Sequence, residues 1–507
     1  MRWSSRAGAC RPELIPAIAL HRSRAGACPP VILAAALAAI VLSLSAANAV
    51  AGKSKQRALS PVCPEDTAAR LTALLSNLPP RAQVGLLVLD LTTGATLFAS
   101  EPDTPLKPAS VLKLFVTAAG LERFGPDFCY VTRVYVRDDE VWVSGAGDPG
   151  LGDPRIAERC GQRPCEVFDQ WAADLKAAGV QRVARLVLDD SVFDETTRHP
   201  DWPSDQADRW YQAPVGGLNL NDNCLDARVE ICDAPKLVLT PELPPDFILD
   251  SLRLGKKHKP RARRPYDSDR FEFSGYVCRS DELGPISAGD PTVFFGYALK
   301  TALAKQGIVV ADIVRRSIPD PVAVGGRLVT EHSTSLPDVL WRCNTFSQNL
   351  FAECLLKSLA AYGPDGRRTG QPGGWESGSA VVRATLSKLG VDLTGAVLRD
   401  GSGLSHSNRA SAAQIVQLLA AMKRHRHADV FVESLAVPGE LGSMRRRYAR
   451  IGPGGRLRAK TGTLAEVHSL AGYVERADGT LLAFALLCNG PVSSELPVQV
   501  AEILTED

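Results

Sequence analysis

The chain has 507 residues and a mass of 54.3 kDa, too long for one ordinary domain and enough for about two to four. Apolar residues make up 45% and charged residues 22%, a globular composition that excludes a disordered or fibrous chain. The 58 basic side chains nearly balance 56 acidic ones, and a net charge of +2 gives no overall pull toward nucleic acid.

At the N-terminus, Arg2, Arg6, Arg11, Arg22 and Arg24 precede an uncharged apolar run from Val31 to Leu44, and the small residues Ala46-Ala47-Asn48-Ala49 follow. A basic region, an apolar stretch of about 14 residues and an A-x-A site predict a signal peptide over residues 1–49. The protein is then exported, periplasmic or otherwise extracytoplasmic. A retained anchor is the competing reading, but the run is short against the ~20 residues a span needs. The stretch Ser5–Cys10 recurs as Ser23–Cys28, which makes the basic region overlong. Cys28 stands upstream of the apolar run, which speaks against lipid attachment there. No later stretch reads as a membrane span.

Downstream, residues 53–70 read as a polar helix, Gln83–Asp90 and Ala95–Ser100 as strands joined at Gly94, and Ala109–Phe124 as a buried helix. Strand patterning fills Cys129–Val143. Short strands and loops then run to about Val322, interrupted by helices near Val167–Ala178 and Pro291–Gln306. Ser335–Ala361 is helical with a break near Asn344, and Ser377–Gly390 and Ser411–His425 are amphipathic helices. Strands Arg456–Leu464, Val467–Arg476 and Thr480–Asn489 close the chain, the last two joined by a hairpin turn. The basic run Lys256–Arg264 reads as a solvated loop.

No CxxC pair or HExxH helix occurs among the 12 cysteines and eight histidines, so a zinc site is not expected. In an exported protein, Cys160 and Cys165 read as a small stapled loop, and Cys224, Cys232 and Cys278 as the source of a second bridge. Cys354 and Cys488 sit in apolar patterns and read as buried free thiols.

Chemistry enters with Ser110-Val111-Leu112-Lys113. Residues three apart are neighbours on a helix, so the lysine amine reaches the serine hydroxyl. A serine nucleophile needs a base, and lysine is one only when neutral. At pH 7 an ordinary lysine is neutral at only ~4 × 10⁻⁴, and bringing its pKa to 7 costs roughly 4–5 kcal/mol. Burial and a second cation are the usual means. About one Ser-x-x-Lys is expected by chance in such a chain, but Lys460-Thr461-Gly462 is rarer, at under ~0.1. Ser-x-x-Lys, Ser347-Gln348-Asn349 and Lys-Thr-Gly each occur once, in that order. The ordered set is the signature of penicillin-interacting serine acyltransferases.

Over roughly residues 60–505 the chain resembles the three-domain D-alanyl-D-alanine carboxypeptidase/endopeptidase family of low-molecular-mass penicillin-binding proteins. Matching stretches include Ser144–Pro149, Leu188–Phe193, Asn344–Leu350, Asp400–Ser405 and Leu470–Tyr473. Ser110 and Ser347 are 237 residues apart, a gap that in this family holds two extra domains. The resemblance implies an α+β fold, a penicillin-binding transpeptidase-like (serine β-lactamase-like) core with two inserted, nested, β-rich domains. The core then occupies residues 53–127 and 322–507 and the insertion 128–321, with a smaller domain nested roughly at 153–235.

The same resemblance implies a serine-type D-Ala-D-Ala carboxypeptidase, also an endopeptidase on peptidoglycan cross-links, acting on stem peptides and acylated by β-lactams. Ser110 would be the nucleophile and Lys113 its base. Ser347 would relay a proton to the leaving amine, Asn349 orient the substrate amide, and Lys460 help hold Lys113 neutral from a cleft-facing strand position outside the core. Thr461 and Thr463, flanking Gly462, would face the substrate carboxylate, and the N–H groups of Ser110 and Thr463 would form the oxyanion hole. Neither a metal nor an organic cofactor is called for, nor a nucleic-acid partner. The competing readings are a β-lactamase, which the 237-residue gap disfavours, and a non-catalytic peptidoglycan-binding or β-lactam-sensing protein. Asp400–Gly403, and Asp189, Asp190 and Phe193, read more simply as turns, and His468 is not needed as a base.

Overall fold

The computed structural model describes residues 64–452 and 455–506. The stretch expected to be a signal peptide and the start of the first predicted helix lie outside the described residues; Pro64–Ser76 is helical. Among the described residues no helix is long and apolar enough to cross a membrane.

The core is a five-stranded antiparallel sheet in the order Leu457–Leu464, Val467–Glu475, Leu481–Asn489, Gln83–Asp90, Thr96–Ser100. Its central strand reads Leu481-Leu482-Ala483-Phe484-Ala485-Leu486-Leu487-Cys488, apolar at every position because both faces are covered. Ala483, Ala485 and Leu487 face a helical layer that includes Lys113–Phe124, Asn349–Ala361, Trp375–Lys388 and Ala412–Lys423. Leu482, Phe484 and Leu486 face the helices Pro64–Ser76 and Leu496–Thr505. The last of these helices was not anticipated; Pro497 at its first turn reads equally well as a loop.

After Lys113–Phe124 the chain leaves this core, and it returns through Ser335. The two crossings are neighbours, with Ser335 paired to Cys129 and the Leu336 N–H donating to the Phe128 carbonyl at 2.9 Å. Between them stands a second five-stranded sheet, ordered Val309–Arg315, Arg182–Asp189, Glu140–Ser144, Cys129–Arg137, Arg327–Ser335. Its helices Glu166–Ala177 and Pro291–Lys305 share one apolar cluster with it. Strand Arg182–Asp189, inside the range expected for the nested domain, pairs here with both Glu140–Ser144 and Val309–Arg315. Two small sheets, one built on Cys224–Ile231 and the other on Ile248–Leu254, Phe271–Val277 and Lys259–Arg263, lie between residues 224 and 287.

Two local expectations are corrected. The basic run opens with a bend at Lys256 and Lys257, as expected of a loop, but Lys259–Arg263 is an edge strand: Lys259, Arg261 and Arg263 are exposed on alternate positions, and cations there keep other strands from pairing with the open edge. Arg264 is buried and donates to the carbonyls of Ser287 and Ala207. Cys165 carries a free thiol, so the Cys160–Cys165 staple is absent. Cys165 takes a left-handed backbone (φ 59°) at the head of helix Glu166–Ala177, with its Sγ turned inward at 4.0 Å from the Gly152 carbonyl. Cys224, Cys232 and Cys278 are also free, the first buried in its strand and the others exposed. Cys354 and Cys488 are buried free thiols, as anticipated.

Helices Lys113–Phe124 and Asn349–Ala361 approach closely at Gly120, where an added Cβ would stand 3.0 Å from Leu355 Cδ1. Leu355 is wholly buried in that seam. Leu355→Ala is expected to cost about 2–5 kcal/mol in urea unfolding; a loss below ~1 kcal/mol would show that the seam relaxes around the cavity.

Candidate active site

Ser110 sits in a 3₁₀ turn, Ala109–Leu112, that runs directly into helix Lys113–Phe124. Three residues per turn put Ser110 and Lys113 in line, and Lys113 Nζ lies 2.9 Å from Ser110 Oγ. The amine is fully buried and also donates to Asn349 Oδ1 and to the Ser402 carbonyl, each at 2.7 Å. The Asn349 amide is oriented by its other end, where Nδ2 donates to the Tyr211 carbonyl at 2.7 Å. A neutral amine has two N–H groups and one lone pair. The two carbonyl oxygens can only accept, so they take the N–H groups and leave the lone pair for the Ser110 hydroxyl. Burial drives the Lys113 pKa down from 10.5 to about 8, against the opposing pull of Cys343, Glu353 and Asp400.

The second motif occupies a break between helices Leu336–Thr345 and Asn349–Ala361. The first helix ends at Thr345, beside the break expected near Asn344, and within the break Ser347 adopts a left-handed backbone with φ 63°. That conformation is costly for a non-glycine residue and turns the side chain out of the helical path. Ser347 Oγ accepts a hydrogen bond from Lys460 Nζ at 2.8 Å, and the Thr461 carbonyl accepts another at 2.8 Å. Lys460 is wholly buried, contrary to the expected position outside the core. Burial, and then the nearby Lys113, push its pKa well below the ordinary lysine value. Burial is thus the leading cause of the lowered pKa in both lysines.

Lys460-Thr461-Gly462-Thr463 lies on the edge strand Leu457–Leu464. An added Cβ on Gly462 would stand 2.2 Å from Ser469 Oγ, 2.9 Å from the Pro108 carbonyl and 3.0 Å from the Ser110 nitrogen. Only glycine lets the strand pass this close to the Ser110 turn. Thr461 is half-buried and Thr463 is exposed, both on the cleft wall.

The Asp400–Gly403 loop does more than turn the chain. Its Ser402 carbonyl is the third partner of Lys113, and the Ser402 and Gly401 N–H groups donate to Glu353 at 2.8 Å each. Trp375 Nε1 donates to the same buried carboxyl at 2.8 Å. Burial raises the Glu353 pKa to about 7, helped by Asp400. Gly403, with φ +83°, would place a Cβ 1.9 Å from the Ala109 carbonyl, so the loop rests directly against the Ser110 turn. A backbone carbonyl leaves no side-chain signature, which is why sequence reasoning passed over Ser402 and Tyr211.

These elements surround a cleft of about 900 Å³ lined by Ser110, Ser347, Asn349, Thr461 and Thr463. Trp210 and Tyr211 of the insertion close one side, and exposed Arg445, Arg446 and Arg447 make another side cationic. The three arginines stand in a row in the sequence and could have been singled out there. His468 also lines the cleft, and burial lowers its pKa, but it contacts neither Ser110 nor Lys113 in any hydrogen bond. Asp189 accepts from the N–H groups of Ser191 and Ile318, and Asp190 pairs with Arg315 at 2.5 Å; both serve the fold.

The family model described as the D-Ala-D-Ala carboxypeptidase 3 (S13) family matches residues 67–505. A D-alanyl-D-alanine carboxypeptidase of Actinomadura sp. (strain R39) is 28% identical over 489 residues, spanning 88% of this chain and 86% of that protein. The D-alanyl-D-alanine carboxypeptidase DacB of Haemophilus influenzae is 22% identical, spanning 83% of this chain and 88% of that protein. The crystal structure of penicillin-binding protein 4 from Haemophilus influenzae superposes with a TM-score of 0.68 at 22% identity, covering 85% of this chain and 97% of that one. A second structure of that protein, complexed with a β-lactam, gives a TM-score of 0.64 at 21% identity, covering 86% of this chain and 99% of that one. The fold is therefore the α+β penicillin-binding fold with added β-rich parts.

With its pKa at about 8, Lys113 loses its proton well below the ordinary lysine value of 10.5. Carbon-13 NMR of ε-labelled lysine should show one resonance titrating near pH 8 that vanishes in Lys113→Arg. A Lys113 midpoint above ~10 would mean that its three partners hold the ammonium form instead.

Proposed function

The chain belongs to the D-Ala-D-Ala carboxypeptidase 3 (S13) family and is a serine-type D-alanyl-D-alanine carboxypeptidase, and we propose that it acts through an acyl-enzyme on Ser110. The observation that carries this reading is the pairing of a buried, pKa-lowered Lys113 with Ser110 at 2.9 Å. In the proposed sequence, Ser110 Oγ attacks the carbonyl of the penultimate D-alanine while Lys113 Nζ takes the hydroxyl proton. The oxyanion that forms faces the N–H groups of Ser110 and Thr463, each such donor worth ~3–4 kcal/mol. Ser347 relays to the departing amine the proton that Lys113 took, which returns Lys113 to its neutral form, and buried Lys460 donates a hydrogen bond to the Ser347 hydroxyl. Asn349 and the Thr461 and Thr463 hydroxyls orient the substrate amide and its terminal carboxylate. Water then hydrolyses the ester, releasing the shortened stem peptide.

The cleft of about 900 Å³ has room for a peptide rather than a single residue, and we propose cleavage of cross-linked peptides as a second activity. The same attack on a β-lactam ring gives a covalent adduct at Ser110. We place the insertion between Phe128 and Ser335, with the two small sheets of residues 224–287 nested within it. The basic, apolar and small-residue segments of residues 1–49 support export to the compartment where peptidoglycan is found.

Incubation with a D-Ala-D-Ala-terminated stem peptide should release D-alanine, and intact-mass measurement should find one penicillin per chain, at Ser110. Ser110→Ala should abolish both while leaving the thermal midpoint nearly unchanged; labelling that persists in this variant would remove the mechanism. A β-lactamase would instead turn penicillin over rapidly and spare the peptide, and a non-catalytic peptidoglycan-binding or β-lactam-sensing protein would release no D-alanine, whether or not penicillin labels it. Because Lys113 is a base only when deprotonated, the acylation rate should rise with pH and level off above about 8. A flat profile from pH 6 to 9 would count against Lys113 as the base.

A further inference from the structure

Asn221, Asp222 and Asn223 of the insertion are all left-handed, with φ of 52°, 57° and 51°. None is a glycine, and three such residues in succession persist only where their surroundings compel them. Buried side chains do the compelling. Asn223 Nδ2 donates to the Pro214 carbonyl at 2.7 Å and to Asn219 Oδ1 at 2.7 Å, while Asn221 Nδ2 donates to the Cys224 carbonyl at 2.9 Å.

The loop so held presents Asp222 to the second motif. Asp222 Oδ2 accepts from Gln348 Nε2 at 2.7 Å and from Arg342 Nη2 at 2.9 Å. Arg342, itself buried, is gripped from the other side by Asp153 Oδ2, at 2.8 Å from Nε and 2.5 Å from Nη2. Gln348 is the residue between Ser347 and Asn349, and its Oε1 accepts from the Asn349 N–H at 2.8 Å. A second tie runs from Asn349 Nδ2 to the Tyr211 carbonyl, also in the insertion. Ser347 lies in the gap between two helices, so the helical ladder does not hold it. Asp222 Oδ1 is buried without a hydrogen-bond partner, an arrangement that costs stability.

We propose that the strained Asn221–Asn223 loop positions Ser347 and Asn349 against Lys460 and Lys113, with Asp222 as the positioning residue that clamps Gln348. The insertion is then part of the support of the reacting groups. This inference rests on the acyl-enzyme reading above.

The test separates the acylation step from binding, using penicillin and the full chain. Asp222→Ala should lower the first-order acylation constant at least ~30-fold while changing the pre-acylation dissociation constant by no more than about threefold. Asp222→Asn, which tolerates the left-handed backbone and keeps an oxygen for Gln348, should restore the rate to within about threefold of the parent. If Asp222→Ala does not fold, Gln348→Ala removes the same clamp from the other end and should show the same loss. The proposal is overturned if a folded Asp222→Ala or Gln348→Ala acylates at the parental rate, or if a folded Asp222→Asn is as slow as Asp222→Ala. Absence of acylation in the parent protein would instead overturn the function itself.

Discussion

Everything at this site depends on keeping one lysine amine dry. Lys113 is wholly enclosed, and its usual charge is expensive there, so its pKa falls to about 8. The enclosure requires several parts of the chain at once. The 3₁₀ turn carries Ser110 to the amine, the second motif brings Asn349 Oδ1, and the Asp400–Gly403 loop brings the Ser402 carbonyl. Each carbonyl takes one N–H, and what remains is a lone pair directed at a hydroxyl. Lys460 repeats the arrangement more simply, tied to Ser347 Oγ and to its neighbour's carbonyl. Two buried amines close together are hard to protonate at once, which leaves a base and a donor within one small volume.

The supporting structure is arranged so that these partners cannot drift. Glu353 holds the Ser402 segment by two backbone N–H groups, and Trp375 holds Glu353. Trp202 of the insertion donates to Asp400 at 2.9 Å, so the same loop is braced from outside the core. Gly403 and Gly462 sit where no side chain fits, one against the Ala109 carbonyl and the other against the Pro108 carbonyl. These close approaches press a loop and an edge strand onto the turn that carries Ser110. The insertion's entry and exit strands pair at their bases, so a long excursion of chain returns next to its departure point and leaves the core sheet intact.

Much of this was legible beforehand. The central strands, the helix after Ser110 and the helices at 375–388 and 412–423 follow from apolar periodicity, because both faces of the core sheet are buried. The three motifs were legible for a different reason: chemistry restricts which residue types can serve, and their order along the chain is unlikely by chance. Other features were not legible. The register pairing Ser335 with Cys129 joins residues two hundred positions apart, and no local pattern announces it. Within the break, Ser347 takes a left-handed backbone that serine does not prefer. The Cys160–Cys165 staple failed because close spacing along the chain says nothing of where a thiol points.

The sequence by itself pointed to Ser110, to Lys113 three residues on, to the second and third motifs and to a large insertion between them, since these are matters of residue type, spacing and order. Tertiary structure decided how those groups are made to work. It buried Lys460, which had been expected at a cleft-facing strand position outside the core, and it recruited the Ser402 and Tyr211 carbonyls as partners. It also set Asp222 beside Gln348 from more than a hundred residues away. The physical reason is that burial and backbone acceptors are properties of packing. Every residue carries a carbonyl, and only the folded chain determines which of them meets a lysine in the absence of water.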